Sequence, residues 1–244
     1  MNPKIVAIIQ ARMTSSRLYG KVLLPLGPCS KPTLWWMLNR VILSESIDKA
    51  VIATVLNNST QAIRKAFPKC TYSWAGDEND VMGRVLWVAK KTNADIIVDL
   101  TGDCPLVDHW HIDYLIQKMI DGKYDYASNC VYRDFPDGLD IQVYWTKTLQ
   151  KCKKLFNPKQ HCGWNITQHP EIFNLFHYKA SKTMHWPELG LTLDTPEDYD
   201  FLQFIFGKYG HDLSFHVEEV VEFLRKNLQY ITNTNVRRKT PEEG

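Results

Sequence analysis

The stretch that decides the fold is Ile5–Leu23, IVAIIQARMTSSRLYGKVL. It begins as a short aliphatic, β-branched run, Ile5–Ile9, the composition of a strand covered on both faces. At Gln10 the apolar character stops. The residues that follow include Arg12, Ser15, Ser16, Arg17 and Lys21, with Gly20 just before the lysine. Parallel α/β sheets bind ligands outside the carboxyl ends of their strands, where loops of this kind sit.

Two later segments repeat the buried-strand character: Ala50–Val55 (AVIATV) and Asp95–Leu100 (DIIVDL). Helical patterns lie between and around them. Residues 33–44 place Leu34, Met37, Leu38, Val41 and Ile42 on one face, with Thr33 as the N-cap. Residues 79–92 do the same with Val81, Val85, Val88 and Ala89. Strand alternating with helix over the first 125 residues predicts an α/β fold, a mostly parallel sheet with helices on both faces. Residues 129–188 are rich in aromatics, His and Lys and lack clear periodicity, which suggests a peripheral subdomain or partner surface. Leu189–Leu193 (LGLTL) reads as a core strand. It feeds a helix with Thr195 as N-cap, Pro196 at its first position and acids in its first turn. After Thr232 the chain is polar, and 233–244 is expected to be a flexible tail.

The bulk numbers narrow the class. At 244 residues, 44% hydrophobic and 23% charged, the chain suits one sizeable domain, spanning 1–232. A net charge of +2 with no basic block excludes a broad nucleic-acid footprint. Six cysteines are scattered without a CxxC, so they read as reduced thiols, neither a disulfide framework nor a zinc site. The opening apolar run is too short for a signal peptide, and no run approaches the roughly 20 apolar residues that span a bilayer. A cytoplasmic protein without membrane association is expected.

The first loop has the right groups for a polyphosphate. Guanidinium forks and an ammonium neutralise oxygens, while hydroxyls and amides hold them in place. It is not a Walker A loop: Ser15 stands where the first glycine belongs, and Val22 replaces the Ser/Thr after Gly-Lys. The residues alone suit a solvated basic loop equally well. In DLTGDCPL (99–106), Gly102 permits a sharp turn and Asp103 would project at the sheet's carboxyl edge. Asp194 ends another apolar segment. Mg²⁺ takes one or two carboxylates plus phosphate oxygens and water; either aspartate by itself suits a turn cap. His161, His169, His177 and His185 recur every eight residues, a spacing that stacks no ligands on a helix, so no metal site is read there. His109 and His111 read as capping or surface residues, and Trp35-Trp36 as helix packing.

Taken together, these segments resemble a family. Residues 10–23 are similar to the (I/V)xARxxSxRLPGKxL signature of cytidylyltransferases that activate acidic sugars as CMP esters. Residues 76–84 (GDENDVMGR), 100–106 (LTGDCPL), 125–129 (DYASN), 135–143 (FPDGLDIQV) and 193–198 (LDTPED) resemble the spore-coat polysaccharide branch of that superfamily. The resemblance implies a Rossmann-like fold of the nucleotide-diphospho-sugar transferase type. It also implies CTP as substrate, release of pyrophosphate, and a homodimer formed through the second half, with 129–188 as a dimerisation and acceptor subdomain. Catalytic roles fall to Arg12, Lys21 and Asp103. The nucleotide side gathers Ala11, Ser15, Ser16, Arg17, Asp77, Arg84 and Thr101, and Mg²⁺ falls to Asp103 and Asp194. The expected acceptor is an anionic sugar, phosphonate or phosphate, with Arg133, Asp140, Gln142 and His161 as its contacts.

Departures from the pattern lie mostly on the acceptor side. Tyr19 replaces the usual proline, Thr192 stands where relatives often carry a second acid, and Gln160 replaces the acidic neighbour of His161. Two rival readings are a GT-A-type glycosyltransferase using a nucleotide sugar and an inactive nucleotide-binding homologue. The first lacks a DxD-like acid pair in Thr-Gly-Asp-Cys; intact Lys21, Asp103 and Asp194 speak against the second.

Overall fold

The structure, a computed structural model, describes residues 2–156 and 162–237. Ile5–Ile9 forms β1 (Ile5–Gln10), followed by the short strands β2 (Pro25–Leu26) and β3 (Lys31–Pro32) and by α1 (Thr33–Val41). The alternation continues through β4 (Lys49–Val55), α2 (Gln61–Ala66), β5 (Thr71–Trp74), α3 (Val81–Thr92) and β6 (Ile96–Thr101). Next come α4 (His109–Asp121), β7 (Tyr126–Ser128), β8 (Gln142–Trp145), α5 (Thr146–Phe156), α6 (Trp164–Thr167) and β9 (Leu175–His177). The helices α7 (Pro196–Tyr209) and α8 (Val217–Lys226) follow.

Seven of these strands make one sheet in the order β5-β4-β1-β6-β8-β7-β9. All run parallel except β8, which pairs antiparallel with β6 on one side and β7 on the other. The crossover through α4 sets β7 one strand position away from β6. The chain then turns back and β8 fills that gap. The central parallel strands β4, β1 and β6 are buried on both faces, as their continuous apolar runs require, while the edge strands β5 and β9 are half-buried. Ile5, Ala7 and Ile9 of β1 pack in the layer holding α1 and α4, while Val6 and Ile8 pack in the layer holding α3 and α5. A third core lies under α7 and α8, where Leu189, Leu191 and Leu193 meet Phe201, Phe206, Val220 and Trp36. Trp36 donates its indole N–H to the Leu26 carbonyl at 3.0 Å and packs edge-on to Trp35, so the tryptophan pair is packing. No described helix is long and apolar enough to cross a membrane.

Several details differ from the sequence reading. Thr33 is the first helical residue and not the cap: Pro32 precedes it, and the Thr33 hydroxyl donates to the Leu24 carbonyl. Ile42 falls beyond the end of α1 and is 61% exposed. Residues 189–193 are buried but form no strand; one bridge joins Gly190 to Asp137. Their leucines were spent on packing beneath α7, so burial alone mimicked a strand. Residues 129–188 are more integral than a peripheral subdomain, since they supply β8 and β9 to the main sheet. Of the expected tail, Asn233 is buried, donating to the Gly190 carbonyl and to Asp198 Oδ1, and residues 238–244 lie outside the described residues. Thr195 caps α7 as read, in a reciprocal capping box with Asp198.

Candidate active site

The loop after β1 is shaped by one glycine. Gly20 has φ +69°, a left-handed conformation that L side chains resist. Its N–H donates to the Met13 carbonyl at 3.0 Å, closing the loop, and the buried Met13 side chain holds the loop to the core. The tight turn at Lys21–Leu23 then carries Lys21 inward until its side chain is 10% exposed. There the Lys21 ammonium donates to Asp103 Oδ2 at 2.6 Å and to Asp194 Oδ1 at 2.8 Å. Arg17 adds an ion pair to the same Asp194 oxygen at 2.9 Å.

The two aspartates reach this point by connected routes. Asp103 follows β6 at a turn where Gly102 lies against the end of β1; a Cβ on Gly102 would come within 2.8 Å of the Gln10 carbonyl oxygen. Asp194 comes next to Leu193, whose N–H donates to the Asp103 carbonyl at 2.8 Å. Burial by itself depresses the Lys21 ammonium, but the carboxylates of Asp103 and Asp194 outweigh it and hold its pKa above the ordinary value. Burial likewise pushes Asp103 up, and Lys21 more than reverses this, so its carboxyl titrates below the usual range. Two carboxylate oxygens converging on one cationic atom form the hard oxygen donor set that suits Mg²⁺. Thr192 adds no acid; its hydroxyl lies 3.4 Å from the Asp103 carbonyl.

These groups line one cleft of about 480 Å³. Arg12, Ser15, Ser16 and Arg17 form one bank, with Arg84 and Thr101 nearby. The floor is a polar chain. Tyr144 and Gln10 donate to the two oxygens of Asp99 at 2.7 and 2.6 Å, and Arg84 donates to Gln10 Oε1 at 3.3 Å and to the Glu78 carbonyl at 3.1 Å. Burial raises the Asp99 carboxyl against the hydrogen bonds from Gln10 and Tyr144, and burial lowers the Arg84 guanidinium. At the other bank Arg133 meets Asp137 at 2.8 Å and Asp140 at 3.5 Å. Burial pushes Asp140 up to about 6 although Arg133 opposes it. Gln142 Oε1 accepts the Tyr126 hydroxyl at 3.0 Å, and Gly163, Trp164 and Gln168 complete that wall.

Nearly all the residues singled out from sequence therefore meet in one place. Ala11 and Asp77 do not line the cleft. Ala11 is buried beneath it, its N–H donating to the Ala53 carbonyl. Asp77 is exposed and its carboxylate caps the Asn79 N–H at 3.0 Å, leaving Glu78 and Asn79 to face inward. His161 lies outside the described residues. Gln10, Asp99, Glu78, Asn79 and Asp137 were missed; Gln10 and Asp99 carried a signal, a polar side chain set in a buried strand. His111 is buried rather than superficial, its Nε2 2.8 Å from Glu218 Oε1. Among the described residues, Asp108, His216 and Glu218 bring possible ligand atoms within 4.8 Å of one another. Asp108 is already committed there: it accepts the Trp110 and Val217 N–H groups and faces the buried Arg40.

Comparison with known proteins agrees with this architecture. The family profile described as Cytidylyltransferase matches residues 6–160. The spore coat polysaccharide biosynthesis protein SpsF of Bacillus subtilis is 30% identical, the match covering 91% of this chain and 95% of that protein. The structure of a cytidylyltransferase from Leptospira borgpetersenii superposes with a TM-score of 0.87 at 30% identity, over 97% of this chain and 100% of that one. A CMP:2-keto-3-deoxy-manno-octonic acid synthetase complexed with CTP shares the fold, with a TM-score of 0.66 at 20% identity over 84% of this chain and 99% of that one. The chain is a nucleotidyltransferase and belongs to the cytidylyltransferase family.

Proposed function

We propose that the protein transfers CMP from CTP to an anionic acceptor, an acidic sugar, phosphonate or phosphate, and releases pyrophosphate. The observation that carries this reading is the Lys21 ammonium held between Asp103 and Asp194 at the foot of the Arg12–Arg17 loop. An acceptor oxygen attacks the α-phosphorus in line, forming one P–O bond as the bond to the bridging oxygen of pyrophosphate breaks. Such transfers depend mainly on positioning and charge neutralisation. Arg12, Arg17 and Lys21 take the charge that grows on the β- and γ-phosphates, while Ser15 and Ser16 hold phosphate oxygens. Asp103 and Asp194 would hold Mg²⁺, which supplies polarisation of the α-phosphate. Arg84, with Gln10 and the Glu78 carbonyl, orients the nucleoside.

On the opposite bank Arg133 receives the acceptor's anionic group, and Asp140 and Gln142 hold its hydroxyls. A place in surface-glycan synthesis belongs to the same reading and is supported by the likeness to the spore coat polysaccharide biosynthesis protein of Bacillus subtilis. Assembly as a homodimer belongs to the same reading and is supported by the sheet-edge strand β9, against whose Phe176 and His177 the exposed Tyr114 and Tyr132 pack; sedimentation checks it. The central test is pyrophosphate release from CTP and Mg²⁺ with a panel of acidic sugars, phosphonates and phosphates, with UTP and ATP as controls. Release with one acceptor class and CTP is the expected result. Silence across the panel, or hydrolysis of a nucleotide sugar instead, would overturn the reading.

A further inference from the structure

We infer that Lys21 is the resident counter-cation of the Asp103–Asp194 pair and competes with the divalent ion for it, so that metal binds tightly only once nucleotide has drawn Lys21 away. The inference rests on the proposed metal role of these two carboxylates. Lys21 Nζ lies at ion-pair distance from both, and Arg17 lies on the same Asp194 oxygen. A divalent ion entering between the carboxylates would therefore stand beside an ammonium and a guanidinium, and like charges this close repel strongly even with good screening. The carboxylates, moreover, are already compensated, so the ion gains less than it would at a bare pair.

A triphosphate changes that balance. It offers Lys21 and Arg17 anionic partners of their own in the same cleft, which frees the carboxylate oxygens for the ion. Metal and nucleotide then strengthen each other's binding by one common factor, as linkage demands. Lys21 thus has two stations, one on the carboxylates and one on the phosphates. It keeps the two aspartates together before substrate arrives.

Mn²⁺ serves as the probe, because its free concentration is read directly by electron paramagnetic resonance. Without nucleotide, Lys21→Met is expected to bind Mn²⁺ about tenfold more tightly than the wild type, within the usual range for coupled sites. Wild-type melting provides a second measurement that needs no variant. Mn²⁺ alone should leave the melting temperature close to its value in EDTA, whereas Mn²⁺ added with CTP should raise it above CTP in EDTA. Equal Mn²⁺ affinity in wild type and Lys21→Met, or equal stabilisation of the wild type by Mn²⁺ with and without CTP, would overturn the competition. Asp103→Asn separates the two readings. If it keeps the full Mn²⁺-plus-CTP response, the metal assignment itself fails and the inference falls with it; loss of that response alongside unchanged Lys21→Met affinity removes the competition alone.

Discussion

Replacing Asp103 with asparagine removes one charge facing Lys21 while keeping the side chain's shape. In the wild type that carboxylate oxygen lies 2.6 Å from Lys21 Nζ. At an effective dielectric near 20 the gross attraction is about 6 kcal/mol. Desolvation of both partners offsets most of it, and Lys21 keeps Asp194 at 2.8 Å. The asparagine carbonyl can still accept a neutral hydrogen bond, so the net stability loss is about 1–2 kcal/mol. The variant therefore stays folded at assay temperature. Its turnover should nevertheless fall at least ~100-fold, or about 2.7 kcal/mol of barrier, because the lost charge belongs to the proposed transition-state site. Urea unfolding and pyrophosphate release measure the two effects separately. The stability difference also has a pH signature. The folded-state pKa of Asp103 is lowered, so its contribution is present above the ordinary carboxylate range and disappears as acid protonates it. Wild type and variant should converge in stability at low pH. A folded variant that turns over within about threefold of the wild type would refute the reasoning, since so small a factor is under 1 kcal/mol.

Three further outcomes are expected. Asp140 titrates near 6, above its unfolded value, so its burial costs stability as pH rises toward and through 6 and costs nothing at low pH. Asp140→Asn should gain about 1 kcal/mol at pH 8 and nothing near pH 4 in urea titrations, less than full linkage gives because its side chain is 32% exposed. Gly20→Ala must adopt φ +69° and press its Cβ on Met13 Cε at 3.1 Å; it should lose about 1–2 kcal/mol and weaken CTP binding by calorimetry. Thr195→Ala removes the capping box of α7 and should cost about 1 kcal/mol in urea unfolding.

The sequence was most legible where one physical demand acted alone. Ile5–Ile9 read directly as a doubly covered strand, so β1 was legible from composition, whereas the basic loop after it suited a solvated surface equally well and took its phosphate reading from the resemblance. Thr195-Pro196-Glu197-Asp198 announced its helix through local chemistry. Legibility failed where two demands produced the same pattern. Alternating leucines at 189, 191 and 193 satisfy a strand or a packed extended segment, and only the location of α7 decides between them. Asp77, Glu78 and Asn79 are adjacent polar residues, and the backbone turn alone determines which of them face the cleft. The antiparallel insertion of β8 depends on the α4 crossover skipping a strand position, a global event that leaves no mark on Gln142–Trp145.

The bond from the Leu193 amide to the Asp103 carbonyl has a wider meaning. Leu193 and Asp103, 90 positions apart in the chain, share a peptide-to-peptide tether, so the backbones that carry Asp103 and Asp194 are joined directly and not through the packing of whole helices, and Lys21 has only to draw together their side chains. Variation on the outer surfaces of α7 and α8 can then accumulate without disturbing that join. The profile that matches residues 6–160 stops short of Asp194. A chain shortened near that limit would keep the acid that follows β6 and lose the partner that completes the pair.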